Sequence, residues 1–292
     1  MNTMRKHLNL LTGMGAIAII GLPMTGWAET APAATAPASP HTFTANLGVV
    51  NNYIFRGLTQ TWDHPAIQGG VDYSHATGWY AGMWASSISD KQFADGWAEI
   101  DLYGGFNGKL TGDWTWTAGL YGYLYPSANY RDALPAGTYP NSQGYNTLEF
   151  NAGLGYKWVS AKVSVALTDY FGANKKTFYT DDSKGTTYLD LTANVPLPES
   201  IFTKDVTLPL HAGYTNYTNK LAAATALGGT NPDYADYKVG IAKTFDGGFN
   251  VGLSYLYADN GKVYDKVPSV KGGTELKNLG GSNVVLSLTK TF

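Results

Sequence analysis

Apolar residues recur at every second position in segment after segment of this chain. The last eleven residues show the pattern in full. Val284, Leu286, Leu288 and Phe292 share one parity, while Val285, Ser287, Thr289 and Thr291 fill the other. A period of two sets these groups on opposite faces of a β-strand. Eleven earlier segments repeat it. Phe43, Ala45, Leu47 and Val49 open the first, which continues in this reading to Tyr53 and Phe55; Ile67, Val71 and Tyr73 mark the second, and Trp79, Ala81, Met83 and Ala85 the third. Ile100, Leu102 and Phe106 carry the fourth, Trp114 to Leu124 the fifth, Leu148 to Tyr156 the sixth, and Val163 to Leu167 the seventh. Leu189 to Val195, Leu208 to Tyr214, Tyr237 to Ile241 and Phe249 to Tyr257 carry the eighth to the eleventh. Each runs to about ten residues, the length of a tilted membrane-spanning strand. After the N-terminal region no apolar run is long enough for a spanning helix, so a membrane protein of this kind must close its sheet. The expected fold is all-β, a transmembrane antiparallel up-and-down barrel of twelve strands over residues 42–292.

The links between segments alternate in length. After the even strands they are short (residues 74–78, 107–113, 157–160, 196–205 and 246–248), and after the odd ones long, notably 125–144, 170–186, 216–235 and 259–281. Short periplasmic turns alternating with longer outer loops characterise outer-membrane barrels. An even strand count puts both termini on the periplasmic side. Aromatics mark the same side: Phe43, Tyr73, Trp79, Phe106, Trp114, Tyr156, Phe245, Phe249 and Phe292 fall beside the short turns, as an interfacial girdle would. Lys243 and Lys290 share the outward parity but sit next to that girdle, where they can snorkel.

Composition sharpens the compartment. Only 14% of residues are charged, 14% are aromatic, there are 35 glycines, and cysteine is absent. Soluble domains carry about a quarter charged residues. Without cysteine there are no disulfides, thiol nucleophiles or thiolate metal sites. Residues 1–28 read as a secretion signal: basic Arg5 and Lys6, an apolar run from Leu8 to Leu22, and the small-x-small site Gly26-Trp27-Ala28. Residues 29–41 form an Ala/Pro-rich lead-in. Cleavage removes two bases and no acids, taking the net charge from −2 to −4. Nucleic acid is therefore not an expected partner.

Two resemblances follow from particular residues. The closing strand, ending on the aromatic Phe292, resembles the terminal strand of Gram-negative outer-membrane barrels, and this implies recognition of Phe292 by the barrel-assembly machinery. N-Y-I-F-R-G-L-T-Q-T (Asn52 to Thr61), P-A-I-Q-G-G-V-D-Y-S-H-A-T-G-W-Y-A-G-M-W-A-S (Pro65 to Ser86) and E-I-D-L-Y-G-G (Glu99 to Gly105) resemble the TorF-type porin family of uncharacterised bacterial envelope proteins. Tyr123-Leu124-Tyr125-Pro126, Asp169-Tyr170-Phe171-Gly172 and His211-Ala212-Gly213-Tyr214 continue the likeness over most of the chain from Asn46 onward. The resemblance implies a porin-like barrel and supplies no substrate or catalytic residues.

The opposite parity gives the candidate lumen. Asp72, Glu99, Asp101, Glu149 and Asp190 face inward with Arg56, Lys162, Lys238 and His211, accompanied by Tyr80, Trp84, Tyr103, Tyr121, Tyr123 and Tyr188. Two readings stand side by side: ion pairs that stabilise the barrel, and a lining that sets the selectivity of a water-filled path. Arg56 precedes Gly57, which permits a sharp bend; a pore-mouth role and an ion pair with Glu99 or Asp101 are both open. His41, His64, His75 and His211 have no serine and acceptor at triad spacing, and no paired-histidine metal motif is present. Asp181-Asp182 and Asp259-Asn260-Gly261 are candidate calcium ligands, although short acidic loop clusters are ordinarily solvated turns. The expected protein is no enzyme and takes no cofactor. It is a passive outer-membrane channel for small neutral or cationic solutes; a structural or adhesive barrel with a blocked lumen and partner-binding loops is the alternative.

Overall fold

The computed structural model describes residues 39–139, 141–223, 227–259 and 261–292. The expected secretion signal and residues 29–38 of the lead-in lie outside these. Twelve long strands form: β1 (His41–Val50), β2 (Ala66–His75), β3 (Trp79–Ser87), β4 (Ala98–Lys109), β5 (Trp114–Leu124), β6 (Thr147–Tyr156), β7 (Val159–Ala166), β8 (Thr187–Pro196), β9 (Val206–Asn216), β10 (Tyr234–Phe245), β11 (Phe249–Ala258) and β12 (Gly281–Thr291). Each pairs antiparallel with its sequence neighbour, and β12 returns to pair with β1, Asn46 opposite Thr291. The sheet is a closed barrel with no free edge.

The closed ring answers the hydrophobic pattern directly. Leu47, Val71, Leu102, Leu120, Leu154, Leu189, Ile241, Leu253 and Leu286 all stand exposed on the outer wall. In water such a belt would be untenable, whereas hydrocarbon covers it at no cost. The short turns suit their residues. At the β10–β11 turn, Gly247 and Gly248 have φ of 80° and 78°, a backbone that side-chain-bearing residues resist. Aromatics pair along this end: Trp79 with Phe106 at 5.3 Å, Trp114 with Tyr156 at 4.9 Å, and Phe43 with Tyr73 at 5.1 Å. Lys290 curls back onto the carbonyl of Gly247, over the rings of Phe249 and Phe292, and Lys243 reaches Thr203 Oγ1 at 2.6 Å. Both ammonium groups therefore leave the apolar wall.

One expectation fails. The first strand does not run on to Tyr53 and Phe55; it stops at Val50. Residues 51–63 turn away from the wall and form a hairpin in which Ile54–Phe55 pairs with Leu58–Thr59. Its base is closed by the Gln60 amide donating to the Tyr53 carbonyl at 2.7 Å. The alternation continues through this stretch, but it serves the hairpin. Packing inside the barrel has overridden a local signal.

The buried aromatics lie inside the outer half of the barrel and above it. One cluster joins Phe93, Tyr103, Tyr121, Tyr123, Tyr125 and Tyr145; a second joins Trp62, Tyr234, Tyr264 and Leu279. Inward residues in this half, including Glu99, Asp101, Glu149, Asn151, Ser164, Tyr188, Thr215 and Asp236, are buried. Nearer the short turns, Asp72, Thr117, Ser160, Lys162, Thr192, Ser254, Ser287 and Thr289 are only half-buried. Inward side chains are buried at the mouth of the lumen and partly exposed below it.

Candidate functional site

The hairpin of residues 51–63 crosses the lumen and touches three parts of its wall. Tyr53, wholly buried, donates its hydroxyl to Glu99 Oε1 on β4 at 3.1 Å, and its ring meets Trp84 of β3 edge-on at 5.5 Å. Arg56 reaches β6, where Nη1 and Nη2 donate to the two oxygens of Glu149 at 2.8 Å each. Gly57 at the tip lies against β10 and β11. A Cβ built there would stand 2.6 Å from Asp236 Cβ and 2.7 Å from Ala258 Cβ, at a φ of 79°. Only glycine fits this approach without displacement.

Arg56 is the centre of the arrangement. Nη1 also donates to the Tyr170 hydroxyl at 2.9 Å, and the guanidinium lies 4.2 Å from the centroid of Tyr188 and 4.9 Å from that of Phe55. The Tyr123 hydroxyl donates to Glu149 Oε2 at 3.2 Å. A buried ion pair is tolerated only when its remaining polar atoms are satisfied, and here phenols satisfy them. The partner is thus Glu149, and of the two roles left open by the sequence the pair with Glu99 or Asp101 does not form. The carboxylates of Glu99 and Asp101 stay on β4, where the Tyr121 hydroxyl donates to Asp101 Oδ2 at 2.9 Å.

A second charged group occupies β7 to β10. His211 lies between two carboxylates, with Nε2 2.9 Å from Asp236 Oδ1 and Nδ1 3.7 Å from Asp190 Oδ1. The Tyr188 hydroxyl is 2.9 Å from the same Nε2, and Thr192 donates to Asp190 Oδ1 at 2.8 Å. Lys162 sits opposite Asp190 and Lys238 opposite His211 in the strand register. Among the described residues no carboxylate comes within 4.0 Å of either ammonium. Lower down, Asp72 accepts from Tyr103 at 2.6 Å, Tyr103 stacks on Tyr121 at 5.0 Å, and the Tyr80 hydroxyl fills the space left by Gly105 and Gly119.

A family model described as "Bacterial protein of unknown function (Gcw_chp)" matches residues 34–292. The chain belongs to this family. Comparison with curated protein sequences finds no match. Among solved structures the chain is similar to the NanC porin at 10% identity, covering 86% of this chain and 99% of that one with a TM-score of 0.44. It is also similar to the outer membrane protein opdK from Pseudomonas aeruginosa, at 9% identity over 78% of this chain and 57% of that one with a TM-score of 0.38. A BenF-like porin from Pseudomonas fluorescens Pf-5 matches at 10% identity over 80% and 55%, with a TM-score of 0.38.

The inward residues expected from parity on β2 to β10 face the enclosed side, whereas Arg56 enters from the hairpin and not from the first strand; one acid escaped that reading. Asp236, 3% exposed and bound to His211, precedes the point at which the tenth strand was expected to begin. The strand in fact starts at Tyr234, so extending the alternation by three residues recovers it. Among the described residues of the wall, the inward acids therefore number six, with Asp236 added to the five read from sequence. The suggested acidic turns carry little: Asp181 pairs with Lys175 at 3.1 Å, Asp259 accepts from the Ala235 amide at 2.7 Å, and Asn260 lies outside the described residues.

Proposed function

We propose that this chain is an outer-membrane porin-like channel, passing small neutral or cationic solutes by diffusion past a constriction formed by the Arg56 hairpin. The observation that carries the reading is the two-sided wall. Apolar side chains cover its whole outer face, while the enclosed face carries hydroxyls, amides and charges of both signs that are half-hydrated below the hairpin. Outer-membrane lipid would cover the former, with both chain ends on the periplasmic side. The likeness of residues 52–61, 65–86 and 99–105 to TorF-type porins supports the same reading.

A twelve-strand barrel with ~4.7 Å spacing and ~40° tilt has a backbone radius of about 12 Å, leaving a narrow passage once side chains are added. Inside it, six acids stand against Arg56, Lys162, Lys238 and His211; Glu149 is taken up by Arg56 and Glu99 and Asp101 are buried, so the remaining excess favours mobile cations only weakly, reduced further by screening over ~8 Å at physiological salt. The exposed faces of Tyr80 and Trp84 add stacking for ring-shaped or cationic solutes. Nothing in the His211 group calls for an enzymatic role.

Planar-bilayer recording of the refolded protein tests the proposal. Discrete conductance steps, with a reversal potential of cationic sign across a KCl gradient, are expected. A second reading is a structural or adhesive barrel whose loops bind partners, and burial of the outer half of the lumen favours it. A silent bilayer would select that reading, and clear anion preference would refute the charge argument.

A further inference from the structure

His41 opens β1 and His75 closes β2, and the strand register sets them directly opposite one another. The Ala76 amide donates to the Pro40 carbonyl at 2.8 Å, so the adjacent pair is the hydrogen-bonded one. His41 and His75 are therefore a non-hydrogen-bonded pair, the kind whose side chains come closer. They leave the same face of the sheet as Phe43 and Tyr73, one step nearer the turn. His41 is exposed there and His75 half-buried. The imidazole centroids lie 5.1 Å apart with the ring planes tilted by 56°. A hydroxyl holds each ring at Nδ1: His41 Nδ1 is 2.9 Å from the Tyr73 hydroxyl, and His75 Nδ1 is 2.7 Å from Thr77 Oγ1. Neither Nε2 has a hydrogen-bond partner among the described residues.

We propose that this pair is a divalent transition-metal site, with the two Nε2 atoms as ligands and copper(II) as the ion held most tightly. The ring spacing fits. A metal ~2.1 Å from an imidazole nitrogen lies about 3.2 Å from the ring centroid, so two rings meeting one ion at ~105° stand about 5 Å apart. The observed centroid separation is 5.1 Å. The Nδ1 contacts fit as well. A metal on Nε2 requires the proton on Nδ1, and each hydroxyl is placed to accept it, which fixes tautomer and ring orientation. The Thr77 amide, 3.3 Å from His75 Nδ1, then gives up its weaker bond. Imidazole ligands suit copper, nickel and zinc, with copper highest in affinity, whereas calcium and magnesium prefer oxygen. Among the described residues no third His, Asp or Glu joins the pair, so water completes the coordination. The bound ion would clip the start of β1 to the β2–β3 turn, on the rim and outside the lumen. The site stands whether or not the barrel conducts.

Copper(II) titration of the refolded full-length protein, carrying no histidine tag, tests the assignment. A single tight ion per chain is expected, displaced by zinc and unaffected by magnesium. Its electron paramagnetic resonance spectrum should show nitrogen splitting from two imidazoles. His41→Ala and His75→Ala should each weaken binding by about 10–100-fold or more, since even partners outside the ligand shell are worth that much. Each should also reduce the splitting to that of one nitrogen. His64→Ala, which removes an exposed histidine at the other end of β2, should change neither affinity nor spectrum. Copper should raise the unfolding temperature of wild type and not that of His41→Ala. Equal copper affinity in wild type and both rim variants would overturn the proposal, because the ion would then sit elsewhere. So would loss of binding in His211→Ala with the rim variants unaffected, or a wild-type protein that binds no copper.

Discussion

Arg56 and Glu149, 93 positions apart in sequence, meet as a bidentate pair with both nitrogen–oxygen distances at 2.8 Å and almost no exposure to water. The pair ties a loop that could have lain outside the barrel to the inner wall of β6. Removing one member should therefore cost far more than the pair is worth. Arg56→Ala leaves a buried, uncompensated carboxylate, and we expect a loss of about 3–5 kcal/mol in urea unfolding from lipid vesicles. Arg56→Met combined with Glu149→Leu replaces both charges by apolar groups and should recover most of that loss. An unfolding curve for Arg56→Ala that overlays the wild type would show that the pair does not anchor the hairpin.

Gly57 offers a way to move the hairpin without changing any charge. Gly57→Val combines a positive φ with contact against Asp236 and Ala258, so the tip must withdraw from β10 and β11. The backbone conformation alone costs about 1–2 kcal/mol. The barrel should still insert, and small neutral sugars should enter proteoliposomes faster than with wild type, as read by osmotic swelling. Unchanged or slower swelling with a correctly folded barrel would argue that the hairpin does not set the constriction.

The chain end makes a separate prediction about assembly. Phe292 points outward and is 70% exposed, with its amide donating to the Ala45 carbonyl at 2.8 Å, whereas Thr291 faces inward. Replacing Phe292 with Asp should lower outer-membrane yield much more than the same change at Thr291. Equal yields from the two variants, measured in membrane fractions, would remove Phe292 as the assembly signal.

A pH effect is expected at the mouth. Glu275 receives the Lys91 ammonium at 2.7 Å and the Trp62 indole N–H at 2.8 Å, and these bonds, Lys91 first, hold its carboxyl below the usual range. A depressed folded value means that the stabilisation is present at neutral pH and disappears as pH falls below the ordinary glutamate range and through that lowered value. Both side chains of the ion pair are partly exposed, so loosening should stay local. Amide exchange in residues 267–279, corrected for intrinsic rates, should accelerate at acid pH in wild type. Glu275→Gln should show the faster exchange already at neutral pH, and identical behaviour of the two proteins would show that the Glu275 bonds do not hold residues 267–279 in place.

The wall of this barrel was written in the sequence, because strand parity is a local property. Val284, Leu286 and Leu288 need only the two-residue repeat to fall on one face, and the long and short connections then fix which strand ends lie together. The same repeat put Glu99, Asp101, Glu149, Lys162 and His211 inside. Tertiary structure alone decided what those inward groups do. Nothing local distinguishes Tyr53 and Phe55 from the end of a strand; they leave the wall because the closed ring encloses a space that the hairpin fills. Closure also sets which inward residues come within reach, so Arg56 finds Glu149 on β6 although Glu99 and Asp101 were equally available by parity. Pairing across the lumen depends on the direction of the hairpin, on positive φ at Arg56 and Gly57, and on the space beside Asp236. These are contacts between distant parts of the chain, and no periodicity along it encodes them.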